Sequence, residues 1–285
     1  MKPTISFAEI IVTPVCNLVC NGCSTYSDLS GKGYKTWASG KQELESWLER
    51  VDFSDLGIMG GEPLINPEIR EWISGVRELM PDTKIRFPTN GTLLDKHWDV
   101  VDKLYQAGNS ILKITVHLHD DKIENIIQKV FDSYQWQPVT EYGIHRWRTD
   151  NDFVFQVNRP DTFYKTFQNN YADAKPYNSK PEQAFEVCHQ KQCPLIKDGR
   201  IYKCSTSGLM SSVLDRFGNP NIELWKPYLD NQLNGSIGLE SSDQEIIDFA
   251  NNVGKPHKTC QQCPDKKSIQ SIDHATNVFY RSKKS

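Results

Sequence analysis

The chain has 285 residues, 33 Lys+Arg against 36 Asp+Glu, a formal net charge of -3 and 8 Cys. That length allows one large domain plus a small one. The slightly acidic balance offers no basic field for nucleic acid, so Arg281-Ser282-Lys283-Lys284 reads as a solvated tail.

No apolar stretch approaches the roughly 18 residues of a membrane span, and Met1-Lys2-Pro3 leads into a strand rather than a signal peptide. The expectation is therefore a cytoplasmic protein without a membrane partner, whose cysteines bind metal rather than form disulfides. In chain order the patterns predict a strand at 5–12, a helix at 42–51, a strand at 56–59, a helix at 67–80 and a strand at 84–89. A helix at 95–107, a strand at 111–118, a helix at 121–134 and strands at 143–147 and 153–157 follow. Ser39 with Gln42 forms a candidate capping box, Asp120 a cap, and Pro67 suits a first helical turn. Such alternation predicts an α/β fold with a parallel sheet. Six strands in about 160 residues are too few for a closed eight-unit barrel, so a partial barrel is expected over 1–160. The polar stretch 168–181 marks a linker or irregular crossover within 161–187, and a cysteine-rich α+β unit is expected over 188–285.

Strand alternation sorts the predicted inner residues. Between 111 and 119, Leu112, Ile114, Val116 and Leu118 share one face, and Lys113, Thr115, His117 and His119 share the other. Helices outside would take the apolar face and leave the polar one to a ligand-filled lumen; the alternative is an edge strand facing solvent. By the same logic Gln156 and Asn158 point inward, and Thr89-Asn90-Gly91 turns at the same end. Arg146 and Arg148 are candidates to hold a carboxylate.

Cys16, Cys20 and Cys23 are spaced C-x3-C-x2-C, and Gly60-Gly61-Glu62-Pro63 follows the second predicted strand. Three thiolates on one loop can hold three irons of a [4Fe-4S] cluster and leave the fourth iron open. Zinc prefers four ligands in pairs. The pair of motifs resembles the radical S-adenosylmethionine (radical SAM) superfamily, and that resemblance implies a partial (β/α)6 barrel. It also implies a cluster whose open iron chelates S-adenosylmethionine and whose electron cleaves it to a 5′-deoxyadenosyl radical, with flavodoxin or ferredoxin as electron donor. Gly60 and Gly61 would allow close backbone approach to the cofactor, Glu62 would accept from its ammonium, and Pro63, Asn90, Thr115 and Gln156 would complete its site. The family often has an aromatic residue before the third cysteine; Gly22 stands here, and Tyr26 is expected to take that role beside the adenine.

Five further cysteines follow: Cys188, Cys193, Cys204, Cys260 and Cys263. Asp198-Gly199 predicts a hairpin pairing Lys197 with Arg200, Ile196 with Ile201, Leu195 with Tyr202 and Cys193 with Cys204. Cys188-x10-Gly199-x4-Cys204 and Cys260-x2-Cys263 resemble the family's shortened auxiliary-cluster ("twitch", SPASM-like) domain, which implies a second [4Fe-4S] cluster; a four-cysteine zinc ribbon is the alternative. Cys188 and Cys193 contest the fourth place, and the spare thiol is either inert or a hydrogen-atom donor, as in the family's epimerases. A fully ligated auxiliary cluster implies oxidation of a small polar metabolite such as a sugar or cyclitol, with His117, His119, Arg146 and Arg148 as candidate catalytic residues. The alternatives are a peptide-modifying maturase or epimerase, and a non-enzymatic cluster- or zinc-bearing interaction protein. A first strand by Ile5 leaves no room for a leader-peptide domain, which favours a small-molecule substrate.

Overall fold

The computed structural model describes residues 2–27, 31–141, 143–230, 235–273 and 276–278; the basic run at 281–284 lies outside them. The fold is α/β, built on a mixed sheet. Its strands are β1 (Ala8–Thr13), β2 (Asp55–Gly60), β3 (Lys84–Thr89), β4 (Ser110–Thr115), β5 (Gln137–Glu141), β6 (Ile144–Arg148), β7 (Phe153–Asn158), β8 (Leu195–Lys197), β9 (Arg200–Tyr202) and β10 (Ile237–Gly238). They lie in the order β10-β9-β8-β1-β2-β3-β4-β7-β6-β5. Pairing is parallel from β8 through β1, β2, β3 and β4 to β7, and antiparallel outside that run.

Six parallel strands are thus present, but not the six expected. Residues 143–147, predicted as a barrel strand, belong instead to the antiparallel run β5-β6-β7. The reason is chain length: parallel neighbours need a crossover of a dozen or more residues, and only 149–152 separate β6 from β7. The sixth parallel strand is β8, which joins β1 with Leu195 opposite Glu9 and Ile196 opposite Ile10. The cysteine-rich region is therefore hydrogen-bonded directly onto the sheet.

Four helices, α1 (Trp37–Leu48), α2 (Ile69–Leu79), α3 (Trp98–Ala107) and α4 (Asp121–Ser133), cover one face. Each buries a stripe at helical spacing, as in Ile69, Trp72, Ile73 and Val76 of α2 and Ile123, Ile126, Ile127 and Val130 of α4. These stripes meet Leu112, Ile114 and Val116, so the apolar face of β4 points outward as expected. Asp120 caps α4, accepting from the Ile123 amide. The cap of α1 is Thr36, which accepts from the Ser39 amide, rather than Ser39 with Gln42. Pro67 precedes the α2 cap residue Glu68 instead of entering the first turn.

The contact of α1 with α2 depends on two reciprocal gaps. A Cβ at Gly40 would stand 1.9 Å from the Trp72 ring, and one at Gly75 would stand 2.1 Å from the Trp37 ring. The two indoles cross edge-on with centroids 5.2 Å apart. Trp72→Ala is expected to cost about 3–5 kcal/mol of stability by chemical denaturation; a loss below about 1 kcal/mol would show that the helices collapse into the gap.

A second core sits against β8. Tyr26, Phe167, Ala174, Leu195, Leu209, Met210, Val213, Leu214 and Trp225 are buried together, where α6 (Ser205–Phe217) meets α7 (Ile222–Leu229); α5 (Pro181–Val187) precedes them and α8 (Asp243–Asn252) follows. The stretch 168–181, expected as a linker, contributes to this core. Trp225 Nε1 donates to the Ala174 carbonyl (3.0 Å), and Tyr177 is 6 % exposed.

Candidate active site

Cys16, Cys20 and Cys23 lie on the loop that leaves the carboxyl end of β1. The Leu18 amide and Asn90 Nδ2 donate to Cys16 Sγ at 3.4 and 3.8 Å, and Thr25 Oγ1 lies 3.4 Å from Cys23 Sγ. Burial pushes the Cys16 thiol up to about 12, and Glu62, Cys23 and Cys20 add to the rise. The three thiols thus sense one another. All eight cysteines are free of disulfides, and among the described residues no three His, Cys, Asp or Glu side chains stand close enough to share one metal ion. Three soft thiols on one short loop, with N–H donors directed at Cys16 Sγ, fit an iron–sulfur cluster by their chemistry.

The loop is seated on the glycine motif. The Gly61 amide donates to the Thr13 carbonyl and the Glu62 amide to the Val15 carbonyl, both at 2.8 Å, which extends the β1–β2 pairing into the cysteine loop. A Cβ at Gly60 would be 2.3 Å from the Thr13 oxygen, and one at Gly61 would be 2.4 Å from the Val15 oxygen. Close approach of the thiol loop itself therefore demands these glycines.

Glu62 is fully buried. Its oxygens accept from the Leu64 amide (3.2 Å), Thr89 Oγ1 (2.7 Å) and the Asn90 amide (2.8 Å), and burial pushes its carboxyl up to about 7. The carboxylate expected to meet the cofactor's ammonium thus ties β2 to the end of β3. Pro63, buried beside it, opens a 3-10 turn. Asn90 Nδ2 donates to Asn17 Oδ1 (3.0 Å), and Asn17 Nδ2 donates to Thr92 Oγ1 (2.8 Å). Asn17 and Thr92 were not singled out by the sequence reading, although the Thr89-Asn90-Gly91 turn marked the place of Thr92.

Tyr26 is buried in the second core. Its ring packs against Phe167 and Tyr171, and its hydroxyl lies 2.7 Å from Thr166 Oγ1 and donates to Thr206 at 3.3 Å. Another aromatic residue lies against position 22: a Cβ on Gly22, whose φ is +71°, would meet Phe163 Cβ at 3.0 Å, and Phe163 stacks on His117.

The inner face of the sheet is polar. Lys113 is opposite Gln156, and Thr115 is opposite Asn158. Arg146, buried, donates to Gln156 Oε1 (2.9 Å) and to Glu141 (2.6 Å); Arg148 pairs with Glu141 and Asp152. Both arginines are thus engaged with carboxylates of the chain's own hairpin. His117 and His119 follow the end of β4, and His119 is exposed. Sequence reading missed Glu9 on this face, where burial pushes its carboxyl up to about 7 while Lys113 and Arg86 pull it down.

At the other end of β1 lies the second thiol group. The hairpin has the expected register, with Asp198 and Gly199 both in the left-handed region, and its ladder runs from Lys197–Arg200 to Leu195–Tyr202. Because β8 runs parallel to β1, Cys193 and Cys204 flank the amino end of that strand, whereas Cys16, Cys20 and Cys23 follow its carboxyl end. Six residues of strand span about 17–20 Å. Cys188 ends α5, Cys204 caps α6, and Cys260 and Cys263 lie on and just after the 3-10 turn Lys258–Gln262. α5 packs on that turn, and Ser207 of α6 lies 3.3 Å from its Thr259. Accordingly the Cys263 thiol is pushed up by burial and then by Cys204, Cys188 and Cys260. Cys193 differs, since after burial its strongest influence is Glu9.

The surroundings of these thiols fit an anionic metal site. Lys203 is 4 % exposed, donates to the Lys191 and Val253 carbonyls, and feels Cys260, Cys204, Cys188 and Cys193; among the described residues no carboxylate pairs with it. A buried ammonium is costly without a counter-charge, which an iron–sulfur cluster would supply. The Tyr177 hydroxyl is buried and has no hydrogen-bond partner among the described residues, and burial and then the Cys263 thiol push its pKa up. A surface cleft of about 560 Å³ between 168–179 and 265–270 holds none of the cysteines or the glycine motif.

Residues 10–141 match the family profile described as Radical SAM superfamily. The FeMo cofactor biosynthesis protein NifB of Klebsiella pneumoniae is 31% identical over 122 residues, 39% of this chain and 25% of that protein. A GTP 3',8-cyclase of Listeria monocytogenes is 30% identical over 138 residues, 45% of this chain and 40% of that protein. The chain thus spans less than half the length of these curated relatives. The crystal structure of BtrN in complex with AdoMet and 2-DOIA aligns over 94% of this chain and 96% of that one, at 15% identity and a TM-score of 0.49.

Proposed function

We propose that this chain, whose residues 10–141 match the Radical SAM superfamily profile, cleaves S-adenosylmethionine reductively and takes a hydrogen atom from a small polar substrate. When bound, a [4Fe-4S] cluster on Cys16, Cys20 and Cys23 supplies the electron and an iron open to the cofactor's amino and carboxylate groups. The seating of the thiol loop on Gly60 and Gly61 carries this reading. Glu62 and Asn90 hold the ends of β2 and β3 in register beneath that loop. Phe163, against Gly22 and stacked on His117, takes the adenine contact expected of Tyr26.

At the amino end of β1 the reading is a twitch-type site, with a second [4Fe-4S] cluster on Cys188, Cys204, Cys260 and Cys263 and with Cys193 left over. The packing of α5 against the 258–262 turn supports this choice. Full ligation by cysteine suits electron exchange with a substrate radical, hence oxidation of an alcohol in a sugar- or cyclitol-like metabolite. A flavodoxin or ferredoxin in the cytoplasm would supply electrons.

Anaerobically reconstituted protein given dithionite is expected to convert S-adenosylmethionine to 5′-deoxyadenosine and methionine, measured by liquid chromatography. An iron-loaded protein that yields no 5′-deoxyadenosine would defeat the reading and favour an interaction protein.

A further inference from the structure

Lys203, the residue before Cys204, is 4 % exposed. Its ammonium donates to the Lys191 carbonyl at 3.3 Å and to the Val253 carbonyl at the end of α8, and lies 5.1 Å from the centroid of the Phe185 ring. A second ammonium, that of Lys191, lies 5.6 Å from the same centroid. Among the described residues neither lysine pairs with a carboxylate. α6 begins at the same place: Cys204 is its N-cap, no side chain caps its amides, and no acidic residue stands in its first turn. The elements that meet here are those that carry the thiols. The Cys188 amide closes the last turn of α5 on the Phe185 carbonyl (3.2 Å), and Lys191 lies between Cys188 and Cys193. Cys204 Sγ is 3.5 Å from Ser207 Oγ, which is 3.3 Å from Thr259 Oγ1 on the turn that holds Cys260.

A buried ammonium is costly unless it is both hydrogen-bonded and paired with an opposite charge. Two carbonyls and a ring face supply the first, and the carboxyl end of α8 offers only about half a unit of negative charge. The amino end of α6 and the second lysine add to the positive side. What is lacking is an anion at the thiols, which thiolates around a metal centre would provide. A positive charge held close to a cluster stabilises its more negative, reduced form, and so raises its potential.

We propose that Lys203 is the built-in counter-charge of the second thiol site, and that its ammonium raises the reduction potential of the cluster held there, which makes that cluster the better electron acceptor. This rests on the functional reading above, which puts a [4Fe-4S] cluster at that site, and deepens it by naming the residue that sets its potential. Lys203 touches no substrate; it acts through its charge.

The test uses the full chain carrying Cys16→Ala, Cys20→Ala and Cys23→Ala, reconstituted anaerobically with iron and sulfide. The second site alone then gives the reduced-cluster signal, read by electron paramagnetic resonance at set potentials. Adding Lys203→Met is expected to lower the ratio of reduced to oxidised cluster at a fixed potential by at least a factor of about ten, about 59 mV for one electron. Lys203→Arg, which keeps the charge, should stay close to the parent. Cluster loading should also raise the melting temperature less in Lys203→Met than in the parent, because the attraction between ammonium and cluster is gone. A merely structural lysine, needed only by the two carbonyls, predicts a melting temperature that falls alike with and without the cluster, and a potential that holds. Loading lost in Lys203→Met but kept in Lys203→Arg would support the counter-charge. Loading lost in both, or a parent-like potential in fully loaded Lys203→Met, would overturn the proposal. Zinc without iron in the triple variant would overturn the underlying reading and the proposal together, and the metal content tells that failure from the others.

Discussion

Anaerobic reconstitution of the full chain is expected to load about eight irons and eight sulfides, the content of two cubane clusters held by cysteine. A combined Cys16→Ala, Cys20→Ala, Cys23→Ala variant should keep about half of that iron and form no 5′-deoxyadenosine, because the proposed reading puts the cofactor's iron on that loop alone. Cys188→Ala should also lose about half the iron, since Cys188 lies at the end of α5 against the turn that carries Cys260. Cys193→Ala should load fully, because Cys193 is the spare thiol of the proposed site. About four irons with one tightly bound zinc in the parent would make the second site a ribbon, and iron loss in Cys193→Ala instead of Cys188→Ala would exchange their roles. In D2O, oxidation predicts no deuterium gained at the substrate carbon. Incorporation that disappears in Cys193→Ala, with both clusters intact, would make that thiol a hydrogen donor.

The second large effect is expected at the glycine pair. Gly61→Ala places a methyl group 2.4 Å from the Val15 oxygen and 2.8 Å from the Cys16 nitrogen. Neither contact is with a flexible side chain, so the backbone that carries Cys16 must move and strain the bonds from Gly61 and Glu62 to the loop. The cost is at least the 1–3 kcal/mol or so of ordinary overpacking, and it falls on the thiol geometry. Gly60→Ala meets the Thr13 oxygen at 2.3 Å and should behave alike. Both variants should therefore lose iron from the first site together with S-adenosylmethionine binding. From sequence alone, with the glycines serving only the cofactor's approach, binding would weaken while the cluster stayed. Full iron content with weakened cofactor affinity would restore that simpler view.

What the sequence by itself determined was local. The hairpin at Asp198-Gly199 could be counted outward because a two-residue turn sets the register of the strands around it. The outward face of β4 followed from alternation, and the thiol loop from spacing alone. The antiparallel turn of β6 into β7 was also legible, in the four residues between them, which are too few for a crossover. Only the tertiary structure placed β8 beside β1, since a three-residue apolar strand fits many partners and the register of distant segments leaves no local mark. That placement carries Cys193 to the amino end of β1, and other long-range contacts bury Glu62 against Thr89 and Asn90 and set Tyr26 in the second core. Each is a contact between segments far apart in the chain. Burial and charge there depend on what the fold lays alongside, which no periodicity encodes.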